Sequence, residues 1–306
     1  MTDQNSQPFA GFKFYHYTPY MPGEVIFMIF FGLCVIAHCY QLFQYRTWYF
    51  IPFLLGCLYE FIGYIGRAIS STEAPDFTPN PYICQSLLLL LGPTLYAASI
   101  YMLLGHIIVL LEAGAYSIIP PKWLAKVFVL GDVVSLCAQV AGGGMLIMAK
   151  TQEKVESGEN TILGGLGIQI LFFGFFMVVT LVFHLRMHKR PTPKSQALNI
   201  PWLQLIYVLY AASILIMVRS IFRVAEYAQG QFGKLQSREV YVFVLDGLPM
   251  LIVPILLIWF HPSRIVDRDS QLVSIDSVDS VDIIEEGHML HYRGVKNRHA
   301  FNFYPP

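Results

Sequence analysis

Long apolar runs separated by short polar stretches set the pattern of this chain. Seven runs stand out, at 25–45, 48–66, 83–111, 124–149, 161–183, 202–222 and 240–260, each of 19 residues or more. About 20 helical residues cross the ~30 Å hydrocarbon core of a bilayer. A closed barrel would need alternating ten-residue strands instead, and Leu87 to Leu91 is five leucines in succession. The pattern therefore predicts an all-α polytopic membrane protein, a seven-transmembrane helix bundle over 25–261. The first 24 residues lack the apolar core of a cleavable signal, so the first run is expected to stay in the membrane. Residues 262–306 read as a polar, disordered tail, with S-I-D-S-V-D-S-V-D at 274–282. The stretches 70–82, 150–160 and 225–239 read as short loops.

Composition supports the membrane assignment. Of 306 residues, 55% are hydrophobic and 13% charged, against roughly 25% charged in soluble domains. Lys plus Arg balance Asp plus Glu at 20 each, which removes the basic excess of a nucleic-acid binder. The greasiness removes a disordered chain. Cys34, Cys39, Cys57, Cys84 and Cys137 lie in or beside apolar runs without metal-ligand spacing, so neither a disulfide framework nor a zinc site is expected. Arg186, Lys189, Arg190 and Lys194 follow the fifth run and orient the chain, with the N-terminal segment 1–24 outside and the tail cytoplasmic. Trp48, Trp123, Trp202 and Trp259 fall at run ends, as interfacial anchors do.

Ionisable groups at membrane depth are costly and mark functional positions. Glu60 and Arg67 lie seven residues apart on one face of the second span. Asp132, Ser135 and Gln139 form a polar seam in the fourth, leading into Gly142-Gly143-Gly144, where a backbone or ligand can come close. Arg219, Arg223 and Glu226 occupy the sixth span, and Asp246, followed by Pro249, the seventh. Glu60, Arg67, Asp132, Gln139, Arg219, Arg223, Glu226 and Asp246 are thus the candidate substrate-binding residues. They are expected to line one polar cavity open to the outer leaflet. Three cations against four anions suggest a mutually paired interior. His38 and His106 read as satisfied interior histidines rather than haem ligands.

These motifs resemble the fungal RTA-like family, also called the lipid-translocating exporter family. The resemblance runs through Tyr17-Thr-Pro19, His38, Glu60-Phe-Ile-Gly63-Tyr64-Ile-Gly-Arg67, and Pro93, Ala98, Tyr101 and Gly105. It continues through Asp132-Val-Val-Ser135, Gln139, Gly142 to Gly144, Gly164, Gly167 and Gln169. Arg219, Phe222-Arg223, Glu226, Glu239, Asp246, Pro249 and His261-Pro262 complete it. It implies a plasma-membrane protein that moves or exports lipids and amphiphiles, including sphingoid bases, sterol-like or xenobiotic compounds and porphyrins, and contributes to drug resistance. The alternative is a seven-helix sensor that regulates lipid asymmetry without carrying lipid. An intramembrane metal hydrolase would want several His ligands, and only two His lie inside spans. The expected partners are membrane lipids or amphiphilic small molecules. No catalytic residue, cofactor, metal or nucleic acid is expected, and the sequence names no protein partner.

Overall fold

The computed structural model describes residues 20–73, 78–149, 151–197, 202–229 and 239–261. Within them the chain forms seven long helices and no strand. These are α1 (Met21–Tyr45), α2 (Ile51–Thr72), α3 (Pro79–Leu110), α4 (Pro121–Ile147), α5 (Gln152–Lys189), α6 (Trp202–Ala228) and α7 (Glu239–Trp259). All seven are long and apolar enough to cross a membrane. The chain is a multi-pass membrane protein. The expected tail at 262–306, most of the N-terminal segment, and Lys150 lie outside the described residues.

Proline opens α1, α2, α3 and α4, where its missing N–H costs nothing and its fixed φ suits a first turn. Several helices run past the apolar slab that revealed them. Residues expected as the loop 150–160 are helical from Gln152. Gln, Glu and Lys favour helix irrespective of hydropathy, and Glu153 in the first turn complements the helix dipole. At 38 residues, α5 is roughly 57 Å long, well beyond one hydrocarbon core. In the same way α2 continues to Thr72, α6 to Ala228, and α1 begins at Met21. Glu24 therefore belongs to a helix rather than to the N-terminal segment.

Consecutive helices pack in antiparallel pairs, α1 on α2, α2 on α3, α3 on α4 and α4 on α5. Further contacts of α6 with α3, α5 and α7, and of α7 with α1, close the bundle. Helices α3 and α6 are the most enclosed, whereas α1 has only 22% of its apolar window buried and turns Ile29, Leu33, Ile36 and Tyr40 outward. Association in lipid relies on close packing rather than on burial from water. At Gly142 a Cβ would stand 2.7 Å from the Gly158 carbonyl and from Ile162, so α4 and α5 meet backbone to backbone there.

Internal prolines place the polar groups. Pro93 in α3 has no N–H to give the carbonyl of Leu89, four residues back. In α7, Phe243–Gly247 winds as a π-turn just before Pro249. Widening the turn relieves the clash between a proline ring and the carbonyl four residues earlier. Gln41 donates to the Ile258 carbonyl at 3.0 Å. His38 is interior, as the sequence suggested, with Nε2 3.2 Å from the Pro254 carbonyl and Nδ1 buried without a hydrogen-bond partner. Trp48, Trp123 and Trp259 are exposed at this same end of the bundle.

Candidate functional site

The charged side chains gather at the other end, where α1, α3, α5 and α7 begin and α2, α4 and α6 finish. Arg67 of α2 reaches across to α1, its Nε 2.7 Å from Glu24 Oε1, and to α7, its Nη2 3.1 Å from Glu239 Oε1. Its guanidinium also stands 5.9 Å from the Phe243 ring centre. The other Glu239 oxygen accepts the Tyr20 N–H at 2.7 Å, so one carboxylate ties the entrance of α1 to the entrance of α7. Glu24 is 0% exposed. Arg67 and Glu60 share a face of α2 yet do not pair, because seven residues along a helix is roughly 10 Å.

Arg219 of α6 is the second crossing point. Its Nη2 donates to the Leu89 carbonyl at 2.7 Å, the acceptor that Pro93 left unserved. Its Nε lies 2.6 Å from Asp246 Oδ1, an ion-pair contact without the alignment of a hydrogen bond. The π-turn carries Asp246 to this position, as π-bulges often do at functional sites. Glu60 is buried against Gly92, where any Cβ would stand 2.7 Å from Glu60 Oε1. That oxygen has no hydrogen-bond partner, and Arg219 and Asp246 are the charged groups acting on Glu60.

Arg223, one turn beyond Arg219, faces elsewhere. Its Nη1 donates to Glu226 Oε2 at 2.8 Å within α6, and its guanidinium stacks 5.3 Å from the Tyr227 ring centre. Both Arg223 and Tyr227 line a cavity of about 210 Å³ between α3, α4, α5 and α6. The polar lining adds Tyr82, Gln139 and Glu159, while Leu87, Leu90, Leu146 and Ile162 supply apolar wall. Ser86 and Val140 are exposed at its margin. Gly143 and Gly144 form part of the lining, with open space where a Cβ would project. The three successive glycines thus divide their work, Gly142 admitting α5 and the next two bounding the cavity.

Gln139 anchors the cavity floor. Its Nε2 donates to Ser135 Oγ at 2.7 Å and to Gln169 Oε1 at 3.1 Å, and Ser135 in turn donates to the Gly165 carbonyl at 2.7 Å. One turn below Ser135, Asp132 is buried facing the Tyr101 hydroxyl of α3.

The eight expected site residues therefore divide. Gln139 and Arg223 line the cavity, and Glu226 holds Arg223. Arg67, Arg219 and Asp246 are committed to helix-to-helix contacts, Glu60 faces Gly92, and Asp132 lies deeper. Sequence reasoning passed over Glu24, because it directly precedes the first apolar run, and did not place Glu159 in a site, because 150–160 read as a loop. Glu239 and Tyr101 appeared only as motif residues. With Glu24, Glu159 and Glu239 included, the carboxyls of the bundle interior and cavity are Glu24, Glu60, Asp132, Glu159, Glu226, Glu239 and Asp246, against the guanidiniums of Arg67, Arg219 and Arg223. The near balance expected of the interior becomes seven to three. Among the described residues no three His, Cys, Asp or Glu side chains converge as a metal site.

Fold and site together define a seven-helix membrane protein with an amphiphilic cavity inside one end of the bundle. The profile of the family described as RTA1 like protein matches residues 53–269, and the chain belongs to that family. Protein RTA1 of Saccharomyces cerevisiae is 36% identical over 277 residues, covering 82% of this chain and 86% of that one. A probable lipid transporter of Emericella nidulans, atnI, is 29% identical, covering 81% of this chain and 67% of its own. The sphingoid long-chain base transporter RSB1 of Saccharomyces cerevisiae is 25% identical, with 80% and 72% covered. No solved structure matches the chain significantly. These relatives support a lipid-related function in the membrane.

Proposed function

We propose that this protein binds membrane amphiphiles in the cavity between α3, α4, α5 and α6 and moves them between leaflets, contributing to export of toxic compounds at the plasma membrane. The observation that carries the reading is the cavity itself, about 210 Å³ with one charged side and apolar walls. An amphiphile needs both. Its head group meets Arg223, Glu159, Tyr82 and Tyr227, and its chain lies along Leu87, Leu90 and Ile162. Names of relatives, a probable lipid transporter and a sphingoid long-chain base transporter, support the same substrate class. Lys122, Lys126, Arg186 and Lys189 stand exposed at the opposite end. By the positive-inside rule they support a cavity that opens toward the outer leaflet, with the N-terminus outside. Movement is by binding and release, without covalent chemistry.

Reconstitution tests this directly. Purified protein in liposomes should redistribute a fluorescent sphingoid base or phosphatidylcholine faster than empty liposomes do. Gly144→Leu, which fills the cavity from a position with free space, should return the rate to the empty-liposome value. Equal rates for all three preparations would refute carriage. Binding without redistribution would instead make the protein a lipid sensor.

A further inference from the structure

Like Glu60, Asp132 is a buried carboxyl outside the ion pairs; unlike Glu60, it has no charged side chain acting on it. It is 2% exposed, and among the described residues no cationic side chain lies within ion-pair distance of it. Neither carboxyl oxygen has an aligned hydrogen-bond partner, and neither does the Tyr101 hydroxyl that faces it. The position is deep, roughly 17 Å along α4 from Pro121. The titratable or charged group facing it from α3 is Tyr101, and none does so from α5. The α5 neighbours of this stretch of α4 are Phe172, against Gly131, and the Gly165 carbonyl, taken by Ser135.

With the Tyr101 hydroxyl beside it and no cation within ion-pair distance, a charge on this carboxyl is costly to keep at membrane depth. The surplus of interior carboxyls over guanidiniums points the same way. Asp132 is also connected to the cavity. It stands one turn below Ser135 on the α4 face that continues to Gln139, and the Gln139 side chain forms part of the cavity lining.

We propose that Asp132, facing Tyr101, is a proton-binding site coupled to the amphiphile cavity, so that a transmembrane proton gradient drives the protein. The inference rests on the transport reading above. In the described state Asp132 is a neutral carboxylic acid enclosed by α3, α4 and α5. Rearrangement of α4 against α3 as the cavity empties admits water, the carboxyl releases its proton, and a carboxylate remains until it is protonated from the other side. One proton bound and one released per cycle is the whole chemical balance.

Two measurements on the full chain test this. The first is infrared difference spectroscopy of purified wild type against Asp132→Asn. The wild type should show a protonated-carboxyl stretch that Asp132→Asn lacks; an undiminished band would overturn the proposal whether or not the protein transports. If Asp132→Asn fails to fold, Tyr101→Phe reads the same site. That variant should shift the band, and an unshifted band would equally overturn the assignment. The second uses liposomes containing fluorescent phosphatidylcholine or a fluorescent quaternary-ammonium lipid, neither of which titrates. With one proton per lipid, each pH unit across the membrane should shift the leaflet ratio by up to about tenfold, since one unit corresponds to about 1.36 kcal/mol. Asp132→Asn should lose the shift, and an Asp132→Asn protein that keeps a wild-type response to the gradient would overturn the proposal. A wild type that moves probe with no response to the gradient contradicts proton coupling alone. A wild type that moves neither probe under any gradient contradicts the transport reading instead.

Discussion

Two groups of polar side chains share one end of this bundle and are used in opposite ways. On the α1, α2 and α7 side, Arg67 is shared by Glu24 and Glu239. Beside it, Arg219 spans the Asp246 carboxylate and a carbonyl freed by Pro93. These charges meet one another across helices and fasten elements that are distant in sequence. On the α3, α4, α5 and α6 side, Arg223 is held by Glu226 within its own helix and stacked on Tyr227. Its hydrogen-bonded carboxylate lies on the same helix, and its surroundings form a cavity wall. An interior charge that bridges helices acts as a fastener. One secured within its own helix stays available to a ligand.

Substitutions should separate the two groups, first by stability. Arg67→Met leaves two carboxylates facing each other without their cation. Removing one member of a buried pair costs about 3–5 kcal/mol, so a pronounced loss of unfolding midpoint in detergent is expected, partly restored by Glu24→Gln in the same chain. A midpoint equal to wild type would show that the contact fastens nothing. Arg219→Met, which leaves Asp246 without its cation and the Leu89 carbonyl without its donor, should also cost about 3–5 kcal/mol, read by the same unfolding assay. Gln139→Leu severs the links to Ser135 and Gln169. Polar contacts between membrane helices average about 0.6 kcal/mol, so a small midpoint change is expected beside a clear change in lipid flux. Lys194→Ala removes the exposed pair with Glu112 and should alter stability by under about 0.5 kcal/mol, with flux unchanged. If Lys194→Ala proved as damaging as Arg67→Met, the distinction between buried fasteners and surface pairs would fail.

The seven helices were legible because hydrocarbon thickness imposes a run length that side-chain hydropathy reports directly. Helix ends were not, since a helix does not stop where the slab stops. Gln152–Asn160 is polar and still helical, and Glu24 sits inside α1 although it precedes the apolar run. Candidate residues were legible as polar groups at membrane depth, but their partners were not. Glu60 with Arg67, and Arg219 with Glu226, share faces by helical period, yet each arginine found its carboxylate on another helix. Spacing along one helix fixes which way a side chain points. Which neighbour it meets depends on packing. Pro93 did carry a readable signal, because a proline inside a helix always leaves one carbonyl seeking a donor.

The central claim, that the α3–α6 cavity receives amphiphiles, is tested most directly by photo-crosslinking in liposomes. A lipid with a photoactivatable group in its chain, mapped by mass spectrometry, should label the segments around Leu87–Leu90 and Val140–Ile147, and Gly144→Leu should abolish that labelling. Labelling confined to outward residues such as Ile36 and Tyr40 of α1, and unchanged by Gly144→Leu, would contradict the account.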